Sequence, residues 1–310
     1  MSDTLSQASA CGKVILCGEH AVVYGQPALA LPLPQLRAEA EIIAHTGPCR
    51  LEAPDLDLNL SVGPESDHPL VTTVLSALGH FEQPVPEVLF RIRSEIPIGR
   101  GLGSGTAISA AIFRAVKAYY GMVSDRTEEE SFIQQIETLY HGRPSGIDAA
   151  VISYEKALRF ERGHKALPLE LPGGWSLLIA DSGESTPTHV MVNDLHERHA
   201  AAPHRYDLLF TAVGALCRKA EVALKTGSYR ILGRLMNQNH LLLQEMGIST
   251  PRLDELVGCA REAGALGAKL SGGGGGGVVI ALCPEQSDRS AEILAAWQAA
   301  GVTRSYQIHF

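Results

Sequence analysis

Short apolar runs bounded by glycine and proline alternate along this chain with stretches in which apolar residues recur every three or four positions, the patterns of strands and helices. Gly12 to Cys17 reads as a first strand and leads straight into Gly18, Glu19 and His20. A second apolar run, Pro27 to Leu33, precedes an alternating, charged strand over Leu36 to Ala44. Polar segments at Gly47 to Pro54 and Gly63 to Pro69 read as hairpin connections. A helix is expected from Pro69 to about Gly79, and Val88 to Ser94 alternates apolar and basic residues as a half-buried strand does.

A strand ending at Ile96 then enters PIGRGLGSGTAISAA, Pro97 to Ala111, a glycine-rich turn followed by a small-residue helix beginning near Thr106. Thr127 stands three residues before Glu130 in a capping-box pattern, so the next helix should open there and reach about Tyr140. His141-Gly142-Arg143-Pro144 stops it, and Ser145 to Asp148 opens a further element. Leu177 to Ala180 is a buried-looking strand after Pro172-Gly173-Gly174, where the sequence divides into domains 1–174 and 175–310.

Beyond it, Thr188 to Lys225 is helical in two pieces broken near Pro203, followed by helices over Ser228 to Gln244 and Thr250 to Ala263. Short strands at Ala268 to Leu270 and Val278 to Leu282 flank Ser271 and six glycines, and a helix from Ser287 to Ala300 precedes a last strand, Val302 to His309. No internal repeat of fixed period is present.

Composition narrows the function. With 45% hydrophobic and 19% charged residues the chain is that of a globular protein able to bury a core. Its net charge of -8 and the lack of a basic stripe count against nucleic acid or an anionic membrane as the main partner. The longest wholly apolar run, Val278 to Cys283, falls far short of the roughly 20 residues that cross a bilayer. The N-terminal MSDTLSQASA has neither the basic nor the apolar region of a secretory signal, so a cytoplasmic location is expected. Six scattered cysteines without a CxxC pair read as reduced core residues.

Four groups of residues carry chemistry. In the turn after Ile96, Gly101, Gly103 and Gly105 let backbone N–H groups converge on one anion, and the following helix adds its positive end. Ser104 and Thr106 place hydroxyls there for phosphate oxygens or magnesium. The turn is neither a Walker A loop nor a complete GxGxxG. On these residues alone a phosphate cradle and a capping turn with glycines for packing both stay open.

Six consecutive glycines, Gly272 to Gly277, point to close backbone approach to a ligand or a facing loop, with a flexible linker as the alternative. Glu137 and Asp148 flank a chain reversal and so can share one cavity, as a metal ligand and a proton acceptor for phosphoryl transfer, or serve as a solvated helix residue and a cap. Lys13, heading an apolar strand, with Glu19 and His20 just past its end, reads as a site or as a surface ion pair. His196, Glu197, His199 and His204 come near a zinc motif but miss the HExxH spacing, and an exposed helix face is the better reading.

Together these stretches resemble the GHMP kinase superfamily, which includes galactokinases, homoserine kinases, mevalonate kinases and phosphomevalonate kinases. GKVILCGEHAVVYGQPALA from Gly12, PIGRGLGSGTA from Pro97, HGRPSGIDAAV from His141 and KLSGGGGGG from Lys269 stand in the family order across nearly the whole chain. GEHAVVYG resembles the mevalonate kinase branch in particular.

The resemblance implies an N-terminal α/β domain, a C-terminal α+β domain with a four-stranded antiparallel sheet, and an active site in the interdomain cleft. It implies ATP-dependent phosphorylation of the C5 hydroxyl of mevalonate, giving 5-phosphomevalonate and ADP on the route to isoprenoids. Asp148 would be the catalytic base, with Lys13 lowering the hydroxyl pKa and steadying the transferred group. Glu137 would bind Mg2+ with a cradle hydroxyl such as Ser104. Glu19, His20, Ser145 and Ser271 would face the substrate, and Pro97, Gly99, Arg100, Gly101, Leu102, Gly103, Ser104, Gly105, Thr106, Gly272 and Gly273 would bind ATP. Homodimer formation is expected as a family habit only.

Two positions depart from the pattern. Gly105 stands where relatives usually carry a second, magnesium-binding serine, leaving that task to Ser104 or Thr106, and Cys11 replaces the usual proline before Gly12. Phosphorylation of another small alcohol, a mevalonate-type decarboxylase and a non-catalytic nucleotide sensor are the rival readings. Lys13, Glu137 and Asp148 together count against the last two.

Overall fold

A computed structural model describes residues 3–141, 144–284 and 289–310. The first half contains β1 (Thr4–Cys17), β2 (Ala28–Ala44), β3 (Arg50–Ala53), β4 (Leu58–Ser61), α1 (Pro69–His80), β5 (Val88–Ser94), α2 (Ser104–Tyr119), α3 (Arg126–His141) and α4 (Ile147–Tyr154). There follow β6 (Leu158–Phe160), β7 (Leu167–Pro168), β8 (Trp175–Asp181), α5 (Thr188–Ala201), α6 (Pro203–Lys225), α7 (Tyr229–Glu245) and α8 (Pro251–Glu262). The chain ends with β9 (Gly267–Ser271), β10 (Val278–Pro284), α9 (Arg289–Ala299) and β11 (Ser305–His309).

It forms two compact units, Met1–Lys13 with Pro32–Ile98 and Gly103–Glu155, and Val14–Leu31 with Gly99–Leu102 and Lys156–Phe310. In the first unit β2 pairs antiparallel with β5, β5 parallel with β3, and β3 antiparallel with β4. The period-two pattern of β5 buries Val88, Phe90 and Ile92 and leaves Arg91 and Arg93 partly or fully exposed. Helix α2 packs against α1, α3 and α4. Its small residues Ala107, Ala110, Ala111 and Ala115 are fully buried and allow that close approach. Phe113 fixes the helix among Phe81 and Phe132, with ring centroids 4.9 and 4.7 Å away.

In the second unit β11, β8, β10 and β9 form a four-stranded sheet in that order, antiparallel throughout. Alternate residues, among them Leu178, Ala180, Val279, Ala281, Ala268 and Leu270, face a core built with Phe210, Leu253 and Trp297. Lys269 lies between Ala268 and Leu270 and therefore turns to the other face, in register with Ile280.

Several expectations shift. The first strand begins at Thr4, because the small and polar residues ahead of Gly12 continue the ladder in a half-exposed stretch. The two runs over 27–44 are one strand. Residues 28–30 of β2 pair with β6 and 38–44 with β5, so Pro32 and Pro34 fall where neither of these partners needs an N–H. The segment expected as a turn over 47–54 contains β3, whose Leu51 and Ala53 are buried while Arg50 and Glu52 are not.

Helix α2 opens at Ser104, two residues before the expected start. Helix α3 is capped by Asp125, whose Oδ1 accepts the Glu128 N–H at 2.8 Å, in place of the expected box from Thr127. The expected stop at Gly142 and Arg143 and the start of the last helix at Ser287 lie outside the described residues. Among the described residues no helix is long and apolar enough to cross a membrane.

Candidate active site

Strand β1 buries Lys13 to 4% exposure, and a lysine in an apolar strand needs an acid. Asp148 supplies it, with Oδ1 3.0 Å from Lys13 Nζ. Gly146 at φ 91° is the N-cap of α4, which places Asp148 in the first turn, where the helix dipole favours a carboxylate. The Asp148 side chain remains 26% exposed and so is open to a ligand.

Gly103 joins the cradle to α2 in the left-handed conformation, φ 76°. A Cβ there would stand 3.0 Å from Ile152 Cδ1 and 3.1 Å from Lys13 Cγ, so only glycine lets the turn pass beside the buried lysine. Two residues into α2, the Thr106 hydroxyl donates to Glu137 Oε1 at 2.5 Å. Burial pushes the Glu137 carboxyl up to about 7; the negative charge of Asp148 adds to this, and the Thr106 hydrogen bond and Lys13 partly offset it. Lys13, Asp148, Thr106 and Glu137 therefore form one electrostatically coupled group within the first unit.

A second group lies within the second unit. Arg100 of the turn holds Asp181 at 2.9 Å and donates to the Glu184 carbonyl at 2.7 Å, and Ser185 donates to the Gly99 carbonyl at 3.0 Å. Gly101 and Gly272 face one another so closely that a Cβ on Gly101 would stand 3.6 Å from Gly272 Cα. Ser271 is tied to β1 through both backbone groups of Ile15, accepting its N–H at 3.1 Å and donating to its carbonyl at 2.8 Å.

The turn after β1 is held in the same way. His20, held at the positive φ of 60°, donates from Nε2 to the Gly273 carbonyl at 2.9 Å. Burial lowers its pKa to about 4, so the ring is neutral at pH 7. Glu19 and Lys269 form a fully buried ion pair, and Lys269 also donates to the Leu270 carbonyl at 2.6 Å. Pro97 and Leu102 are buried, whereas Gly99 and Gly105 are exposed. Ser145 accepts the Ile147 N–H at 3.4 Å at the start of α4.

The hydroxyl that meets Glu137 is thus Thr106. A Cβ at Gly105 would meet nothing within 4 Å, so the departure there leaves space and not a packed contact. In the glycine run, a Cβ on Gly276 would lie 2.7 Å from the Glu184 backbone, so the facing loop accounts for that glycine. Lys269 and Arg100–Asp181 are contributors the sequence reading gave no partners; a lysine flanked by Ala268 and Leu270 was the available signal. His199, from the discarded zinc-like cluster, bonds to Asp207 at 2.9 Å and meets the Tyr24 ring edge-on.

The sequence matches the family description "GHMP kinases N terminal domain" over residues 70–156 and "GHMP kinases C terminal" over 220–303. It is 35% identical to the mevalonate kinase of Thermococcus sibiricus over 316 residues, covering 95% of this chain and 93% of that protein. The chain belongs to the mevalonate kinase branch of the GHMP kinases. To the mevalonate kinase of Pyrococcus furiosus the identity is 36%, covering 96% of this chain and 93% of that one.

Among solved structures this GHMP kinase is similar to L. major mevalonate kinase in complex with R-mevalonate, with TM-score 0.84 and 25% identity over 100% of this chain and 99% of that one. It is equally similar to Methanococcus jannaschii mevalonate kinase, with TM-score 0.84 and 26% identity over 98% of both chains.

Proposed function

We propose that the chain transfers the γ-phosphoryl group of ATP to the C5 hydroxyl of mevalonate, forming 5-phosphomevalonate and ADP. The observation that carries this reading is the half-open Asp148 held by buried Lys13 in the same coupled group as Glu137 and Thr106. Asp148 accepts the hydroxyl proton as the oxygen attacks phosphorus, and the bond to the ADP oxygen breaks. Lys13 holds Asp148 in place and offers positive charge to the alkoxide and phosphoryl oxygens. The turn from Pro97 to Thr106 receives the phosphates on its N–H groups and on the N-terminus of α2, and Gly272 faces Gly101.

Glu137 with Thr106 presents a carboxylate and a hydroxyl, hard oxygen donors of the kind magnesium accepts when phosphates and water complete its shell. Among the described residues no cluster of three or more His, Cys, Asp or Glu could hold a metal on its own. Glu137 and Thr106, with Ser104 at the first position of α2 as the neighbouring hydroxyl, would hold magnesium, which would there neutralise phosphate charge. Glu19, His20, Ser145 and Ser271 are the residues assigned to mevalonate, the first two through the turn that Lys269 and Gly273 hold.

Purified protein with ATP, magnesium and separately mevalonate, phosphomevalonate, homoserine or galactose tests the reading. ADP release with mevalonate alone supports it. Turnover on a different alcohol overturns the substrate, and nucleotide binding without turnover on any of them overturns the activity.

A further inference from the structure

Arg114 touches none of the groups assigned to the reaction, yet its guanidinium is bonded to three other elements that carry them. It lies eight residues after Thr106 on α2, in an apolar stretch, with its side chain 13% exposed. A cation so placed is tolerated only when acids and carbonyls complete its hydrogen bonds. Glu129 of α3, itself 2% exposed, accepts from Nε at 2.9 Å and Nη2 at 2.7 Å. Nη1 donates to the Ser9 carbonyl of β1 at 2.7 Å and to Glu155 at 2.5 Å. Nη2 also reaches the carbonyls of Ile152 at 2.9 Å and Ser153 at 3.5 Å, in the last turn of α4.

Each partner shares an element with one group of the candidate site. Ser9 precedes Lys13 on β1, Ile152 follows Asp148 on α4, and Glu129 precedes Glu137 on α3. Helices α2 and α3 run antiparallel with two polar rungs between them, Thr106 to Glu137 and Arg114 to Glu129. The rungs are separated by the same eight residues on both helices, about 12 Å of helix.

Glu155, the C-cap of α4, is held at φ 49° in a left-handed conformation that non-glycine residues seldom adopt, and Arg37 bonds it at 3.1 Å from the other side. Burial works against the charge of Arg114, but Glu129 and Glu155 more than offset this and hold its pKa above the ordinary value.

We propose that Arg114 is a positioning residue for phosphoryl transfer. Its planar fork sets the register of α3 on α2, so that Glu137 meets Thr106, and anchors the end of α4 to β1, so that Asp148 meets Lys13. The proposal rests on the roles given to those four residues above. A guanidinium suits the task because its donors have fixed directions, whereas a lysine supplies charge without the fork. Misplacing reacting groups by about 1 Å costs on the order of 100-fold in rate.

The test uses the full chain with Arg114→Met, Arg114→Lys and Glu129→Gln, scored per folded molecule by nucleotide-binding stoichiometry well below the melting temperature. The expected result for Arg114→Met is a kcat lower by about 30-fold or more with both KM values within about threefold, consistent with a sub-ångström to ångström displacement. Arg114→Lys should recover only part of the loss.

Glu129→Gln, which keeps the shape and the acceptor, should show a smaller loss of the same kind and decides the matter if Arg114→Met does not fold. A lower melting temperature with unchanged kcat would make Arg114 a stabilising residue only and overturn the proposal. Asp148→Asn run alongside separates the two levels. If it turns over normally, the assigned roles fail; if it is inactive while the folded Arg114 and Glu129 variants are fully active, only the positioning role fails.

Discussion

Glu137 should make divalent-metal binding depend on pH across the neutral range. A metal needs the carboxylate, yet burial and Asp148 raise the carboxyl to about 7. Below that value the metal must expel a proton. With a midpoint of 7, about one-tenth of the population is ionised at pH 6 and about nine-tenths at pH 8, so the apparent affinity should rise about tenfold between them. A carboxyl with its ordinary value would be almost fully ionised at both pH values and would change affinity by only a few per cent.

Mn2+ binding followed by electron paramagnetic resonance, with a non-hydrolysable ATP analogue at saturation, reads this directly. Comparison with Glu137→Gln removes the ionisation of the nucleotide, which both proteins share. A difference between the two proteins that is flat from pH 6 to 8 would refute the assignment of Glu137 as a metal ligand with a raised pKa.

Acid should destabilise the fold through two buried histidines. His20 and His240 are each lowered to about 4 by burial, so the folded state binds fewer protons than the unfolded one between pH 6.5 and 4. The resulting stability is present above pH 6.5 and is lost as the pH falls towards 4. Melting temperature against pH should drop over that window, with a shallower drop for His240→Gln; equal slopes would contradict it.

Gly103→Ala must hold a Cβ in left-handed backbone 3.0 Å from Ile152 and 3.1 Å from Lys13. It should lose about 1–2 kcal/mol of stability in chemical denaturation, together with kcat; wild-type values of both would contradict the close approach. Ser271→Ala strips both Ile15 backbone groups of their side-chain partner. It should cost about 1–3 kcal/mol in urea unfolding, and no change in midpoint would show that the tie carries no stability.

How much of this was readable in advance differed from residue to residue. Lys13 stood out because a lysine heading an apolar strand has to find an acid. Asp148 and Glu137 could be placed near one another because the chain turns between them, and in the structure the charge of Asp148 helps raise the Glu137 carboxyl. The choice between Ser104 and Thr106 could not be read, since it depends on which face of α2 meets α3, and Thr106 is the one bonded to Glu137.

Arg114 carries no signal in the sequence because its acids lie 15 and 41 positions away. Lys269 was hidden for the same reason, its partner Glu19 lying 250 residues earlier. The strand that runs through Pro32 and Pro34 looked like two, since proline reads as a breaker until its partner strands are known. The second compact unit also takes in residues 14–31 and 99–102 from the first half of the chain, which a single boundary at 174 and 175 cannot express.

Single-turnover phosphoryl transfer by Asp148→Asn, with mevalonate, ATP and magnesium saturating, tests the central claim most directly. The expected result is loss of nearly all 5-phosphomevalonate formation with ATP affinity retained, because the amide cannot take the hydroxyl proton. Transfer at the wild-type rate would contradict the account.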